Sequence, residues 1–204
     1  MMKTAVLIDF DDTIFNATRY KTLRDEYYQQ RFDQKFWKKF KKYEHDYTIG
    51  KVKMFTPRDI LTNDELEITN RHLKKIAPSL LYQDFTTFME KIASDRFTPM
   101  ILTFGDQELQ ITKITAVGLT LPVIHTDLRN KNELIQRWRS RDVYKINGSD
   151  FDEVVLIDDR QSNFIGFEHL PKARGFLMQR AGNLTDDLPK NVSVVRDFSE
   201  IELV

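Results

Sequence analysis

Cysteine is absent from the 204-residue chain. Disulfides, thiolate zinc sites and a cysteine nucleophile are therefore excluded, and a reducing, cytoplasmic location is the expectation. Neither sign of charge predominates: 31 Lys and Arg stand against 31 Asp and Glu. No global field then draws the protein to nucleic acid or to an anionic membrane. Long hydrophobic runs are also missing, and nothing approaches the roughly 18 apolar residues of a membrane span. The apolar stretch up to Ile8 is too short for a signal peptide and is followed at once by acids. Internal repeats and low-complexity tracts are lacking. What remains is enough chain for one sizeable α/β core with an insertion, or for two small domains.

The most informative stretch is Ala5-Val6-Leu7-Ile8-Asp9-Phe10-Asp11-Asp12-Thr13. Its short apolar run reads as a buried strand. Three carboxylates then crowd together, which is costly in a buried place unless something compensates them. A divalent cation is the simplest candidate. If the extended conformation persists, the period of two puts Asp9 and Asp11 on one side, facing one metal.

Beyond Ile14 the pattern changes to helical spacing. Phe32, Phe36, Phe40 and Tyr43 recur by four, four and three. Thr62-Asn63-Asp64-Glu65 reads as a capped helix start leading into Leu66, Thr69, Leu73 and Ile76. A further helix runs through Leu81, Phe85, Phe88 and Ile92. Residues 16–94 are thus expected to form an inserted helical domain. Alternation then resumes: a strand at Pro99–Phe104, a helix from Gln107 to Val117, a strand at Leu121–His125, a helix at Asn132–Trp138, and a strand at Val154–Ile157 ending in Asp158-Asp159. A helix at Gln161–Glu168 and strands at Gly175–Met178 and Val192–Val195 complete the prediction. Such alternation argues an α/β class: a Rossmann-like parallel sheet with helices on both faces, built from residues 1–15 and 95–204.

In a parallel sheet all carboxyl ends share one edge. Asp9, Asp11, Thr103, Asp158 and Asp159 then converge although distant in sequence. Oxygen ligands of this kind suit Mg²⁺, and Mg²⁺ beside an anionic oxygen points to phosphoryl chemistry.

These residues resemble the four ordered motifs of the haloacid dehalogenase (HAD) superfamily of phosphohydrolases. Asp9-Phe10-Asp11-Asp12-Thr13 matches the family's DxDx(T/V) strand end, and Thr103 matches its strand-terminal Thr or Ser. Lys131, in Asn130-Lys131-Asn132-Glu133, is the lysine assigned to the third motif, with Lys113 and Lys145 as the alternatives. Val154-Val155-Leu156-Ile157-Asp158-Asp159 matches the fourth. The resemblance implies a C1-type helical cap in the insertion and a phosphatase working through an aspartyl-phosphate. It makes Asp9 the nucleophile and Asp11 the general acid and base. Thr103 and Lys131 would bind the phosphoryl oxygens. Mg²⁺ would be held by Asp9, Asp159, the Asp11 backbone carbonyl and, in the same shell, Asp158. Asn163 stands where many relatives place a further acid behind the metal, and Asp12 where many have Gly. The implied partner is a small phosphorylated metabolite such as a nucleotide or sugar phosphate.

Two other classes stand as alternatives. One is a non-catalytic binding or regulatory module on the same fold; the intact acid set argues against it. The other is a nucleic-acid end-processing phosphatase using the basic segment RFDQKFWKKFKK at Arg31–Lys42. Balanced charge makes a nucleic-acid partner unexpected, and the spacing of Phe32, Phe36 and Phe40 favours an ordinary helix with its aromatics inward. Trp37 lies off that face. His45, His72, His125 and His169 show no metal-ligand pairing. Arg160 reads equally as a substrate contact or as a partner of Asp158 or Asp152.

Overall fold

The computed structural model describes residues 2–181 and 187–203. The first strand, β1 (Thr4–Ile8), is wholly buried. It is paired in parallel on both sides. Leu7 lies opposite Met100 of β2 (Phe97–Phe104) and Leu156 of β7 (Glu153–Asp158), and Ile8 lies opposite Ile101 and Ile157. With β3 (Val123–Thr126), β8 (Ala173–Met178) and β9 (Val192–Val195), these strands form a six-stranded sheet. Its order is β3-β2-β1-β7-β8-β9 and every pairing is parallel. Continuous apolar strands without alternation belong in such a doubly covered sheet. One face is filled by Leu7, Leu102 and Leu156 against Ile135, Tyr144, Phe164 and Phe167.

Contacts divide the chain into two compact units. The sheet unit comprises Met1–Phe15, Tyr82–Phe104 and Leu121–Val204; the helical unit comprises Asn16–Leu81 and Gly105–Thr120. These bounds differ from the expected 16–94 insertion in two respects. Helix α4 (Gln83–Lys91) groups with the sheet, because the Phe85 and Phe88 rings pack on Phe198 with centroids 5.3 and 5.0 Å away. Helix α5 (Gln107–Ala116) groups with the helical unit, where it packs on α3 (Asn63–Ile76).

The helical unit is built as its sequence dictates. Helix α1 (Ala17–Arg31) starts at Asn16, which caps the N–H of Arg19. The capping box of α3 is complete: Thr62 accepts from the N–H of Glu65, and Glu65 accepts from that of Thr62. In helix α2 (Gln34–Thr48) the phenylalanines turn inward, with the rings of Phe36 and Phe40 edge-on to Tyr28. Trp37 is half-buried and stacks on Phe40, so it offers no open aromatic platform. Lys35, Lys38 and Lys42 remain in solvent.

One segment adds elements where none were predicted, and another departs from its predicted helix. Residues 139–151 form a small antiparallel sheet, β4 (Arg139–Ser140), β5 (Val143–Ile146) and β6 (Ser149–Phe151), after helix α6 (Lys131–Trp138). The predicted helix over 161–168 is instead two short 3-10 turns, Gln161–Phe164 and Phe167–His169. Gly166 between them adopts φ +77°, which breaks the right-handed path. No helix among the described residues is long and apolar enough to cross a membrane.

Candidate active site

The site lies on the carboxyl edge of the sheet unit and begins where β1 ends. Asp9 still continues the ladder, donating its N–H to the Ile157 carbonyl at 2.8 Å. The chain then turns at once. The N–H groups of Ile14 and Phe15 both donate to the Phe10 carbonyl, and that of Asp12 to the Phe15 carbonyl. The Phe10 and Phe15 rings stack beneath this loop with centroids 5.1 Å apart. Asp12 sits at φ +58°, a left-handed conformation that Gly adopts freely and Asp tolerates better than most residues. The strand ends at Ile8 and the chain turns, so the period of two no longer governs where the carboxylates of Asp9 and Asp11 point.

Asp9, Asp158 and Asp159 do come together: one carboxylate oxygen from each lies within 4.8 Å of the others. The Asp11 carboxylate is outside this group, although it acts electrostatically on Asp9. Lys131, at the start of α6 and 2% exposed, reaches into the cluster. Its Nζ donates to Asp9 Oδ1 and, at 2.6 Å, to Asp158 Oδ2. Of the alternative lysines, Lys113 is buried on α5 in the helical unit, and Lys145 is exposed on β5. Thr103, near the end of β2, is 1% exposed on the same edge.

Asp158 spends both oxygens on protein donors. Oδ2 takes Lys131, while Oδ1 accepts the Asn163 side-chain amide at 2.8 Å and the Arg160 N–H at 2.9 Å. Asn163 also accepts the Lys131 N–H at 3.0 Å, tying the start of α6 to the turn after β7. None of these donors engages the oxygens of Asp159. Arg160 is exposed, and the bond to Asp158 is made by its backbone.

Burial dominates the electrostatics. It pushes the Asp9 carboxyl up to about 7; Lys131 works against this and Asp158 adds to it. Burial, with Asp9 and Asp158 nearby, pushes Asp159 up to about 8. Burial also disfavours a charged Lys131, yet Asp158 and Asp9 outweigh it and hold that pKa above the ordinary lysine value. Three carboxylates against one ammonium leave two negative charges in excess when all are ionised. An all-oxygen donor set with that deficit fits a hard divalent cation. No histidine belongs to it.

No family model and no curated protein matches the sequence. Solved structures do. The chain is similar over 98% of its length to 95% of a Burkholderia xenovorans protein named as a haloacid dehalogenase-like hydrolase, at TM-score 0.68 and 15% identity. The fold is that of the HAD-like hydrolases. A HAD phosphatase from Thermococcus onnurineus matches at TM-score 0.62 and 18% identity, with 98% of this chain and 95% of that one covered. A magnesium-bound Bacillus subtilis protein named as a HAD hydrolase matches at 0.59 and 14%, covering 98% and 97%. 2-Haloacid dehalogenases share the fold as well.

Within this HAD-like core, one neighbour of the site escaped the sequence reading. Arg180, two residues past β8, donates to the backbone carbonyl of Thr13 in the loop that carries Asp11. The available signal was a cation just beyond a predicted strand on the functional edge.

Proposed function

We propose that the protein is a divalent-cation-dependent phosphatase for a small phosphomonoester, with Mg²⁺ as the cation. The observation that carries this reading is the buried Lys131 ammonium joined to both Asp9 and Asp158, with Asp159 beside them. A positive charge fixed against a nucleophilic carboxylate, and a dication site adjoining it, suit a group that is itself a dianion. Magnesium in the similar Bacillus protein supports the choice of ion.

In this reading Asp9 attacks phosphorus and the phosphorus–oxygen ester bond breaks. Asp11 gives its proton to the leaving oxygen. Asp11, now ionised, takes a proton from water as that water attacks phosphorus, and the Asp9 carboxylate is released with inorganic phosphate. Thr103 donates to the phosphoryl oxygens, and Lys131 balances their charge. Asp9, Asp159 and the Asp11 backbone carbonyl would hold the cation, which supplies further charge stabilisation when bound. Asp158, with both oxygens engaged, holds Lys131 and the turn after β7 in place. Asp11 distinguishes this chemistry from dehalogenation, since a departing halide needs no proton whereas an alkoxide does. The inserted helical unit, as a C1-type cap, would limit access to small esters.

The test is phosphate release from p-nitrophenyl phosphate and from a panel of sugar phosphates and nucleotides, with Mg²⁺ and with EDTA. Halide release from 2-chloropropionate is followed in parallel. Turnover that needs the cation and vanishes in Asp9→Asn supports the reading. Halide release without phosphate release, or silence throughout the panel with no Mg²⁺ binding, rejects it.

A further inference from the structure

The loop carrying Asp11 leaves the sheet immediately after Asp9, so the β1 ladder does not fix it. Its backbone bonds close largely on themselves, from Asp12 to Phe15 and from Ile14 and Phe15 to Phe10. Among its outward ties are two at adjacent carbonyls. Ile14 accepts the N–H of Tyr82 at 3.0 Å. Thr13 accepts two donors of Arg180, Nη2 at 2.8 Å and Nε at 3.3 Å.

Arg180 is itself held on every side. Its side chain is 16% exposed, and Nη1 donates to Asp84 Oδ2 at 3.0 Å. The same Asp84 oxygen accepts the Phe198 N–H at 2.8 Å. The guanidinium carbon lies 3.6 Å from the centre of the Tyr82 ring and 5.5 Å from that of Phe198. Only a planar fork can bind one carbonyl twice, reach a carboxylate and stack on a ring together. An anchor so fully determined is more than tight packing requires, because the group it holds is a backbone carbonyl two residues from Asp11.

We infer that Arg180 is a positioning residue for Asp11: by gripping the Thr13 carbonyl it sets the loop from which Asp11 delivers its proton. The inference rests on the phosphatase reading above, in which Asp11 protonates the leaving oxygen. Proton delivery matters where the leaving group is a poor one. An alkoxide departs only when protonated, whereas p-nitrophenolate departs unaided.

Arg180→Ala and Arg180→Lys are compared with wild type in two measurements. One is amide hydrogen exchange over residues 12–15. The other is steady-state kinetics with Mg²⁺ on p-nitrophenyl phosphate and on glycerol phosphate or another turned-over alkyl ester. Exchange over the loop should quicken in both variants. Displacing a catalytic group by about 1 Å costs about a hundredfold, so kcat on the alkyl ester should fall by about that factor, with the aryl ester losing under about fivefold and KM steady for both. Equal losses on the two esters, or a change confined to KM, would overturn the inference. Unchanged exchange overturns it alone, leaving the phosphatase reading intact. A wild type silent toward every ester overturns that reading and the inference with it. If Arg180→Ala does not fold, Arg180→Lys supplies both comparisons, since lysine keeps the charge but has one donor atom.

Discussion

Asn163 donates its side-chain amide to Asp158 at 2.8 Å. Through its other end it accepts the Lys131 N–H, so one buried residue sets both the acid at the end of β7 and the first turn of α6. Asn163→Ala removes both bonds and leaves a buried N–H without its acceptor. An orphaned buried group costs about 1–3 kcal/mol, so urea unfolding should show a loss of about that size. A change below about 0.5 kcal/mol, the range of ordinary surface substitutions, would show that the bridge contributes nothing.

Lys131→Met keeps much of the volume and removes the charge. Three acids then face one another without their cation. Breaking a buried ion pair from one side costs about 3–5 kcal/mol, and the metal-free variant should melt correspondingly lower. Added Mg²⁺ should recover more of that loss than it adds to wild type. Phosphatase activity should stay absent, which separates the catalytic from the structural part of the lysine's role.

The raised values of Asp9 and Asp159 set a sign for pH dependence. Both fold with a pKa above the unfolded 3.8, at about 7 and about 8, so the native state binds more protons across that window. Their contribution to stability is complete below the unfolded value and is lost as pH rises through 7 to 8. Metal-free protein should therefore weaken from pH 5 to pH 8.5. The rise in Tm on adding Mg²⁺ should grow over the same range, because the cation replaces those protons. A rise that is flat, or that shrinks with pH, would contradict this electrostatic account.

Gly175 is the position on β8 where a methyl group has no room. A Cβ there would lie 2.6 Å from Phe164 Cε1 and 2.9 Å from Val192 Cγ2. Phe164 is fully buried and adjoins Asn163 in sequence. Overpacking of this kind costs about 1–3 kcal/mol, and Gly175→Ala should lose about that in stability. It should also weaken Mg²⁺ binding, measured as a smaller cation-induced rise in Tm than in wild type.

The sheet was legible because β1 and β7 are unbroken apolar runs that stop at acids, a pattern carried by the residues themselves. The Thr62 cap was legible for the same reason: both halves of its hydrogen-bonded pair stand three residues apart. Lys131 was reached through the family resemblance, as a lysine at the start of a predicted helix, with Lys113 and Lys145 left open. Residues 139–151 were not, since strands of two to four half-exposed residues leave no periodic signal. Nor was the fate of 161–168, where Gly166 and the bond from Asn132 to the Ile165 carbonyl override helical spacing. The grip of Arg180 on Thr13 joins residues 167 apart and follows only from the folded sheet.

That β1 lies between β2 and β7 has a kinetic consequence. Its partners, Phe97–Phe104 and Glu153–Asp158, both lie far from it along the chain, so the acid cluster as a whole has no local precursor in the unfolded protein. Pairings of such high sequence separation form slowly, after loop closure has been overcome. Uptake of a cation during refolding would thus act as a clock for one event, the arrival of β7 beside β1, independent of how early the helices form.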